Sequence, residues 1–113
     1  MFDWNDLKHF LAVARHGSTI AAGKALGTSQ STVHRRLEEL ERRLGRALVT
    51  RQASGYRLTE YGTALLPFAE RIEAAVAALP PGALDEAGLQ AHIAPLFARM
   101  RQAAPDRIYL ANH

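Results

Sequence analysis

Three short segments at the start of the chain are each bounded by residues that begin and end helices. An Asp or Ser precedes each segment, where its side chain can accept a hydrogen bond from a free backbone N–H, and a glycine follows each one. The capping residues are Asp3, Ser18 and Ser29, and the closing glycines are Gly17, Gly27 and Gly45. This pattern of capping residues and glycines predicts helices over about residues 4–15, 19–26 and 30–44.

The connection between the second and third helices is only "GTS", residues 27–29. A short turn containing glycine is typical of the helix-turn-helix arrangement. The third helix carries an apolar stripe at 4-3-4 spacing, which predicts that one face is buried. The stripe consists of Val33, Leu37, Leu40 and Leu44.

The front of the third helix is a candidate DNA-binding surface. At 100° per residue, Ser31 and Arg35 project opposite the buried stripe, and Gln30 and His34 flank them. Gln and Arg carry the paired donors that suit base edges, and no acid occurs from Lys8 through Leu37. We expect these four residues to contact double-stranded DNA. Further along the helix, Arg36 and Arg43 are expected to lie over the domain surface or to pair with Glu39 and nearby acids, and not to contact bases.

The charge distribution agrees with this placement. Up to Leu58 there are ten Lys and Arg residues against five acids, whereas from Thr59 onward four arginines meet six acids. A polyanion-binding surface would therefore lie in the first half of the chain. The chain has no cysteine, its five histidines lack metal-ligand spacing, and no glycine loop could cradle a phosphate. We expect no metal, no cofactor and no enzymatic activity.

Residues 48–58 predict a β-hairpin wing, with strands near 48–51 and 56–58 joined by a turn that contains Ser54-Gly55. A fourth helix, about 60–79, is expected after a Thr59 cap, with Pro67 kinking or loosening one turn. Its apolar stripe could be core within one chain or a dimer seam, and we favour the dimer. The stripe consists of Leu65, Ala69, Ile72, Val76 and Leu79.

The remainder, residues 80–113, opens with "PPG" and carries a second apolar face interrupted by Pro95. We expect one or two short helices that pack on the fourth helix or on a partner subunit, and a flexible tail is the alternative. The N-terminal "MFDWND" lacks the charge pattern of a secretory signal, and the apolar stretches are too short to span a bilayer. A cytoplasmic, nucleoid-associated protein with no membrane contact is expected.

The stretch "LKHFLAVARHGSTIAAGKALGTSQSTVHRRLEELERRLGRALVTR", followed by "YRLTEYGTALL", resembles the N-terminal region of LysR-type transcriptional regulators. The resemblance covers about residues 4–79. It implies a mainly α fold with a winged helix-turn-helix DNA-binding domain at 1–58 and a linker and dimerisation helix at 59–79. Beyond the resemblance, residues 80–113 are expected to form a short helical tail. It also implies DNA contacts by Gln30, Ser31, His34 and Arg35, wing contacts by Arg51 and Gln52, and a homodimer through the linker helix.

The chain departs from the usual family residues at Thr28, Ser31, His34 and Thr50, which bears on the bases it would read. Members normally continue into a much larger effector-binding domain, which we expect to be absent because only 34 residues follow Leu79. Full-length relatives are then further candidate partners. The alternative function is a winged-helix module that binds other proteins and dimerises with or sequesters related regulators without specific DNA binding.

Overall fold

The computed structural model describes residues 3–80, 82 and 85–103 of the 113-residue chain. Within these residues the architecture is mainly α-helical with one two-stranded antiparallel sheet, as predicted. In chain order the elements are α1 (Trp4–His16), α2 (Thr19–Leu26), α3 (Gln30–Leu44), β1 (Val49–Gln52), β2 (Gly55–Leu58), α4 (Glu60–Ala77) and α5 (Glu86–Ala103).

The local signals place the first three helices correctly. Each predicted capping side chain accepts a hydrogen bond from a backbone N–H two or three residues ahead, so the first turn of each helix is satisfied. The three closing glycines adopt left-handed conformations, with φ of 78°, 71° and 74°. The predicted ends of α2 and α3 match the structure, and α1 extends one residue further, to His16.

The core of the helix-turn-helix forms where α1, α2 and α3 pack against one another. Val33, Leu37 and Leu40 of the predicted α3 stripe are buried, whereas Leu44 is partly buried at its edge. In α2, a Cβ at Gly23 would lie 2.8 Å from the carbonyl oxygen of Thr28. Because Gly23 has no side chain, the backbone of the turn can pack closely against α2. This close packing helps to determine the orientation of α3 relative to α2.

The wing starts one residue later than predicted. Leu48 is fully buried, and its carbonyl oxygen accepts from Thr59 N at 2.9 Å, outside the two-stranded ladder. β1 and β2 then pair with Arg51 opposite Tyr56 and Gln52 opposite Gly55. The backbone N–H of Tyr56 donates to the Gly17 carbonyl at 2.8 Å, which ties the wing to the end of α1.

Helix α4 begins at the predicted Thr59 cap and continues through Pro67 to Ala77. Three residues of the stripe that we assigned to a dimer seam, Leu65, Ala69 and Ile72, are buried within a single chain, with at most 1% exposed. For these three the seam assignment is corrected: they belong to the intramolecular core, because α4 packs against α1, β2 and α5. Val76 and Leu79 are only partly buried.

The tail contributes one 18-residue helix, α5, which packs against α4. Ile93, Phe97 and Met100 bury their side chains, and the helix continues through Pro95. Residues 104–113, included in our prediction for the tail, lie outside the described residues. In the part of the chain that is described, no helix has the length and apolar character needed to cross a membrane.

Candidate nucleic-acid interface

The structure brings four of the predicted site residues together on the first turns of α3. Gln30, Ser31, His34 and Arg35 are all exposed, whereas Val33 between them is fully buried. The exposed surface formed by these four residues is called the tip below. Helical periodicity produces it, since burying the Val33 stripe turns the intervening positions outward.

Two tip residues have hydrogen-bonding or ionic partners within the chain. The Gln30 amide Nε2 donates to the Thr19 hydroxyl at 3.2 Å, which joins the starts of α2 and α3. The His34 ring nitrogen Nε2 lies 2.8 Å from a carboxylate oxygen of Glu38, one turn along the helix. Both side chains are therefore oriented before any ligand arrives, although both remain exposed.

Arg35 differs from the other arginines of α3. Arg42 and Arg43 contact the Glu39 carboxylate, and Arg36 donates to Asp6 on α1 at 3.2 Å. The hydrogen bond from Arg42 is the main reason that the pKa of the Glu39 carboxyl is lowered. Among the described residues, Arg35 contacts no carboxylate. Its charge is thus available to a ligand, and the expected pairing of Arg36 and Arg43 with acids is confirmed.

The acid that pairs with Arg36 was not identified from the sequence. Asp6 is 1% exposed, and its second carboxylate oxygen lies 3.6 Å from Arg43. Burial raises the pKa of the Asp6 carboxyl, and the hydrogen bond from Arg36 opposes that rise. One feature of the sequence could have predicted that Asp6 is buried: it precedes Leu7, and His9 and Phe10 follow one turn later on the same buried face of α1.

The remaining predicted contact residues, Arg51 and Gln52, lie on the wing and not at the tip. Both are exposed on β1. The wing is held from two sides: Tyr56 bonds the end of α1, and the Glu41 carboxylate of α3 accepts from Leu48 N at 2.7 Å and from Val49 N at 3.4 Å. Sequence reasoning also missed Glu41, whose partners become neighbours only after folding.

The side chains of this surface are suited to binding an anionic, planar ligand and not to catalysing a reaction. It offers a guanidinium, an amide, a hydroxyl and an imidazole on one exposed helix turn. Within the described residues no group of three His, Asp or Glu side chains could hold a metal ion. Guanidinium and amide groups match the donor and acceptor pattern of base edges, and guanidinium also binds phosphate.

Comparison with known proteins gives the same picture. Residues 4–63 match the family described as "Bacterial regulatory helix-turn-helix protein, lysR family". The chain is 42% identical over 74 residues to the HTH-type transcriptional regulator GalR of Pseudomonas putida. It is 39% identical over 72 residues to the iron-regulated virulence regulatory protein IrgB of Vibrio cholerae. These matches cover 66% and 64% of this chain but only 19% and 24% of the relatives, so the chain spans about a fifth to a quarter of their length.

Solved structures agree in fold. The crystal structure of a CbnR DBD–DNA complex superposes with a TM-score of 0.63 at 40% identity, covering 65% of this chain and 84% of that one. A BenM DBD complex with catB site 1 DNA superposes with a TM-score of 0.65 at 25% identity, covering 67% and 85%. The expected winged helix-turn-helix fold is confirmed. The matched family and the relatives named above are transcriptional regulators.

Proposed function

This chain belongs to the lysR family of bacterial regulatory helix-turn-helix proteins, and we propose that it binds specific sequences of double-stranded DNA as a transcriptional regulator. In this proposal α3 is the recognition helix and enters the major groove. Gln30, Ser31, His34 and Arg35 meet base edges or adjacent phosphates there. Arg51 and Gln52 of the wing contact the neighbouring backbone or the minor groove.

One observation carries the proposal: Arg35 stands exposed at the tip without a carboxylate partner among the described residues, while the other arginines of α3 are paired. A guanidinium left unpaired in this position can donate two hydrogen bonds to guanine, the commonest specific contact in DNA complexes. The N-terminus of α3, where the helix dipole favours a negative charge, also lies at the tip. DNA complexes among the similar structures favour this reading over the protein-binding module.

The oriented side chains at the tip support sequence-specific binding more than general affinity. Gln30 is hydrogen-bonded to Thr19, and His34 lies beside Glu38. Because these side chains are already ordered, they lose less conformational entropy when they contact a base. Glu38 also places a negative charge behind the tip. Phosphates are therefore favoured near Arg35 and disfavoured one turn later, which restricts the register of α3 in the groove.

We further propose that the chain acts as a homodimer in the bacterial cytoplasm. Two recognition helices would then enter successive major grooves about 34 Å apart and read a dyad site. The C-terminal end of α4 and the residues just after it support a seam, because Val76 on the helix and Leu79 beyond it are partly exposed.

Selection from a random pool of DNA duplexes tests the proposed function. We expect enrichment of an interrupted palindrome whose half-sites are spaced by about one helical turn. The pool should also be offered to the Arg35→Ala variant, with its folding checked by circular dichroism. Enrichment of no sequence by the folded wild-type chain would reject specific DNA binding and return attention to protein partners.

A further inference from the structure

We propose that Asp6 is a specificity-determining residue, because it holds two arginines of the recognition helix, Arg36 and Arg43, away from DNA. The inference rests on the proposed function, in which α3 binds a specific DNA sequence. It concerns a residue on α1 that lies outside the tip and the wing. Its role would be to withhold positive charge from the phosphates, and not to contact the DNA itself.

The geometry shows one buried carboxylate shared by two guanidinium groups. Asp6 Oδ1 accepts from Arg36 at 3.2 Å, and Asp6 Oδ2 lies 3.6 Å from Arg43. Asp6 is 1% exposed, whereas the two arginine side chains are 30% and 33% exposed. Two partly exposed acids flank the pair: Asp3 lies 3.6 Å from Arg36, and Glu39 lies 3.2 Å from Arg43. Of these three acids, Asp6 contacts both arginines.

Helix geometry places these arginines beside the DNA-facing surface. Arg36 and Arg43 are seven residues apart, so they lie on one flank of α3 about two turns from each other. Arg36 is the neighbour of Arg35 and is rotated from it by about 100°. A guanidinium on a long, flexible side chain could swing from this flank toward a phosphate if its acid partner were removed.

Withholding these charges has a functional consequence. A guanidinium that contacts phosphate adds affinity for every DNA sequence equally, because phosphates carry no sequence information. Discrimination depends on the difference between affinities for the correct and incorrect sites. With Asp6 in place, Arg35 is the cation on the first turns of α3 without an acid partner among the described residues. The tip therefore contributes a larger share of the binding free energy than it would if Arg36 and Arg43 also contacted phosphates.

Salt-dependent DNA binding by Asp6→Asn tests this inference. Affinity for the selected site and for a scrambled duplex of equal length is measured between 50 and 300 mM salt. We expect tighter binding to the scrambled duplex and a reduced ratio between the two affinities. The slope of log affinity against log salt should become steeper by up to about 0.9 for each arginine that is freed. Glu70→Gln is the charge-matched control, since it also removes one negative charge but lies on α4.

Two arginine variants distinguish this effect on DNA binding from a purely structural ion pair that stabilises the packing of α1 against α3. Adding Arg36→Gln and Arg43→Gln to Asp6→Asn should restore the wild-type slope. The same two substitutions in the wild-type background should leave affinity and slope nearly unchanged, and this arm remains informative if Asp6→Asn does not fold. A reduced slope in that arm would overturn the inference, because the arginines would then already contact DNA.

The outcomes also distinguish this inference from the proposed function. If the wild-type chain shows no sequence preference, the proposed function fails. If the wild type has a preference but Asp6→Asn folds and binds both duplexes with an unchanged slope, only the role of Asp6 is rejected. Weaker binding of that variant to both duplexes at an unchanged slope would identify Asp6 as a structural ion pair.

Discussion

Glu41 on α3 and Leu48 before the wing are joined by a hydrogen bond of 2.7 Å from the Leu48 backbone N–H to the Glu41 carboxylate. The same carboxylate oxygen lies 3.4 Å from Val49 N. Leu48 is fully buried, so its N–H has little access to water as a replacement partner. The contact therefore fixes the wing relative to the recognition helix.

Glu41→Ala should destabilise the protein by about 1–3 kcal/mol, because it leaves a buried backbone donor without a partner. Urea unfolding followed by circular dichroism measures this change. Glu38→Ala is the matched control on the same helix; Glu38 is 63% exposed, and its loss should cost less than about 0.5 kcal/mol. Equal stability of the two variants would show that the Glu41 contact contributes nothing.

Gly62→Ala should also be strongly destabilising, by about 1–3 kcal/mol, because the added Cβ would overlap the Leu48 carbonyl oxygen. The oxygen cannot easily move, since it also accepts from Thr59 N at 2.9 Å. Thermal unfolding of this variant is compared with that of Gly82→Ala, where a Cβ meets no atom within 4 Å. A Gly62→Ala protein as stable as the control would contradict the close approach of α4 to the Leu48 carbonyl group, just before the wing.

The pair between Arg15 and Glu73 should make the docking of α1 on α4 dependent on pH. The two side chains form hydrogen bonds of 2.6 and 2.7 Å, and the hydrogen bond from Arg15 lowers the pKa of the Glu73 carboxyl below its ordinary 4.5. The contribution of the Arg15–Glu73 pair to the free energy of unfolding is fully present above pH 4.5. It is lost as the pH falls through the lowered pKa of Glu73 in the folded state.

Glu73→Gln should therefore cost up to about 1 kcal/mol at pH 7, a small value because both side chains are partly exposed. The difference in unfolding free energy between wild type and variant should shrink below pH 4.5. Denaturant titrations of both proteins at several pH values measure it. A difference that stays constant down to the acid limit of folding would show that Glu73 is not the titrating group.

Two substitutions on α4 separate dimerisation from folding. Val76→Asp, at a partly exposed position, should weaken self-association while leaving the folded monomer intact. Ile72→Asp should instead unfold the chain, because Ile72 is 1% exposed and an unpaired buried charge costs about 3–5 kcal/mol. Sedimentation at micromolar concentration with parallel thermal unfolding measures both effects. A wild-type chain that is monomeric throughout would remove the proposed seam.

The sequence predicted best the features that depend on neighbouring residues. Helix starts at Asp3, Ser18 and Ser29 follow from side-chain hydrogen bonds that span only two or three residues. The outward position of Arg35 follows from the helical period once Val33 is placed in the core. Neither conclusion requires knowledge of the tertiary structure.

Features that depend on distant contacts were not predicted. Periodicity shows that the face of α4 bearing Leu65 and Ile72 is buried, but it does not identify the covering element, so a dimer was favoured where α1, β2 and α5 pack. Asp6 and Arg36 are 30 positions apart in the chain, and their pairing becomes evident only when α1 lies against α3. The start of β1 was misplaced because Leu48 is core, not strand.

A salt titration of DNA binding by Arg35→Ala measures whether the exposed tip of α3 recognises DNA through Arg35. Arg42→Ala is the matched control, because Arg42 is 73% exposed on the same helix but pairs with Glu39. We expect Arg35→Ala to lose about 1–3 kcal/mol of binding free energy on the selected site, together with its preference for that site over a scrambled duplex. Arg42→Ala should retain both the affinity and the preference. Equal affinity and equal preference for the wild type and both variants would show that Arg35 takes no part in DNA recognition.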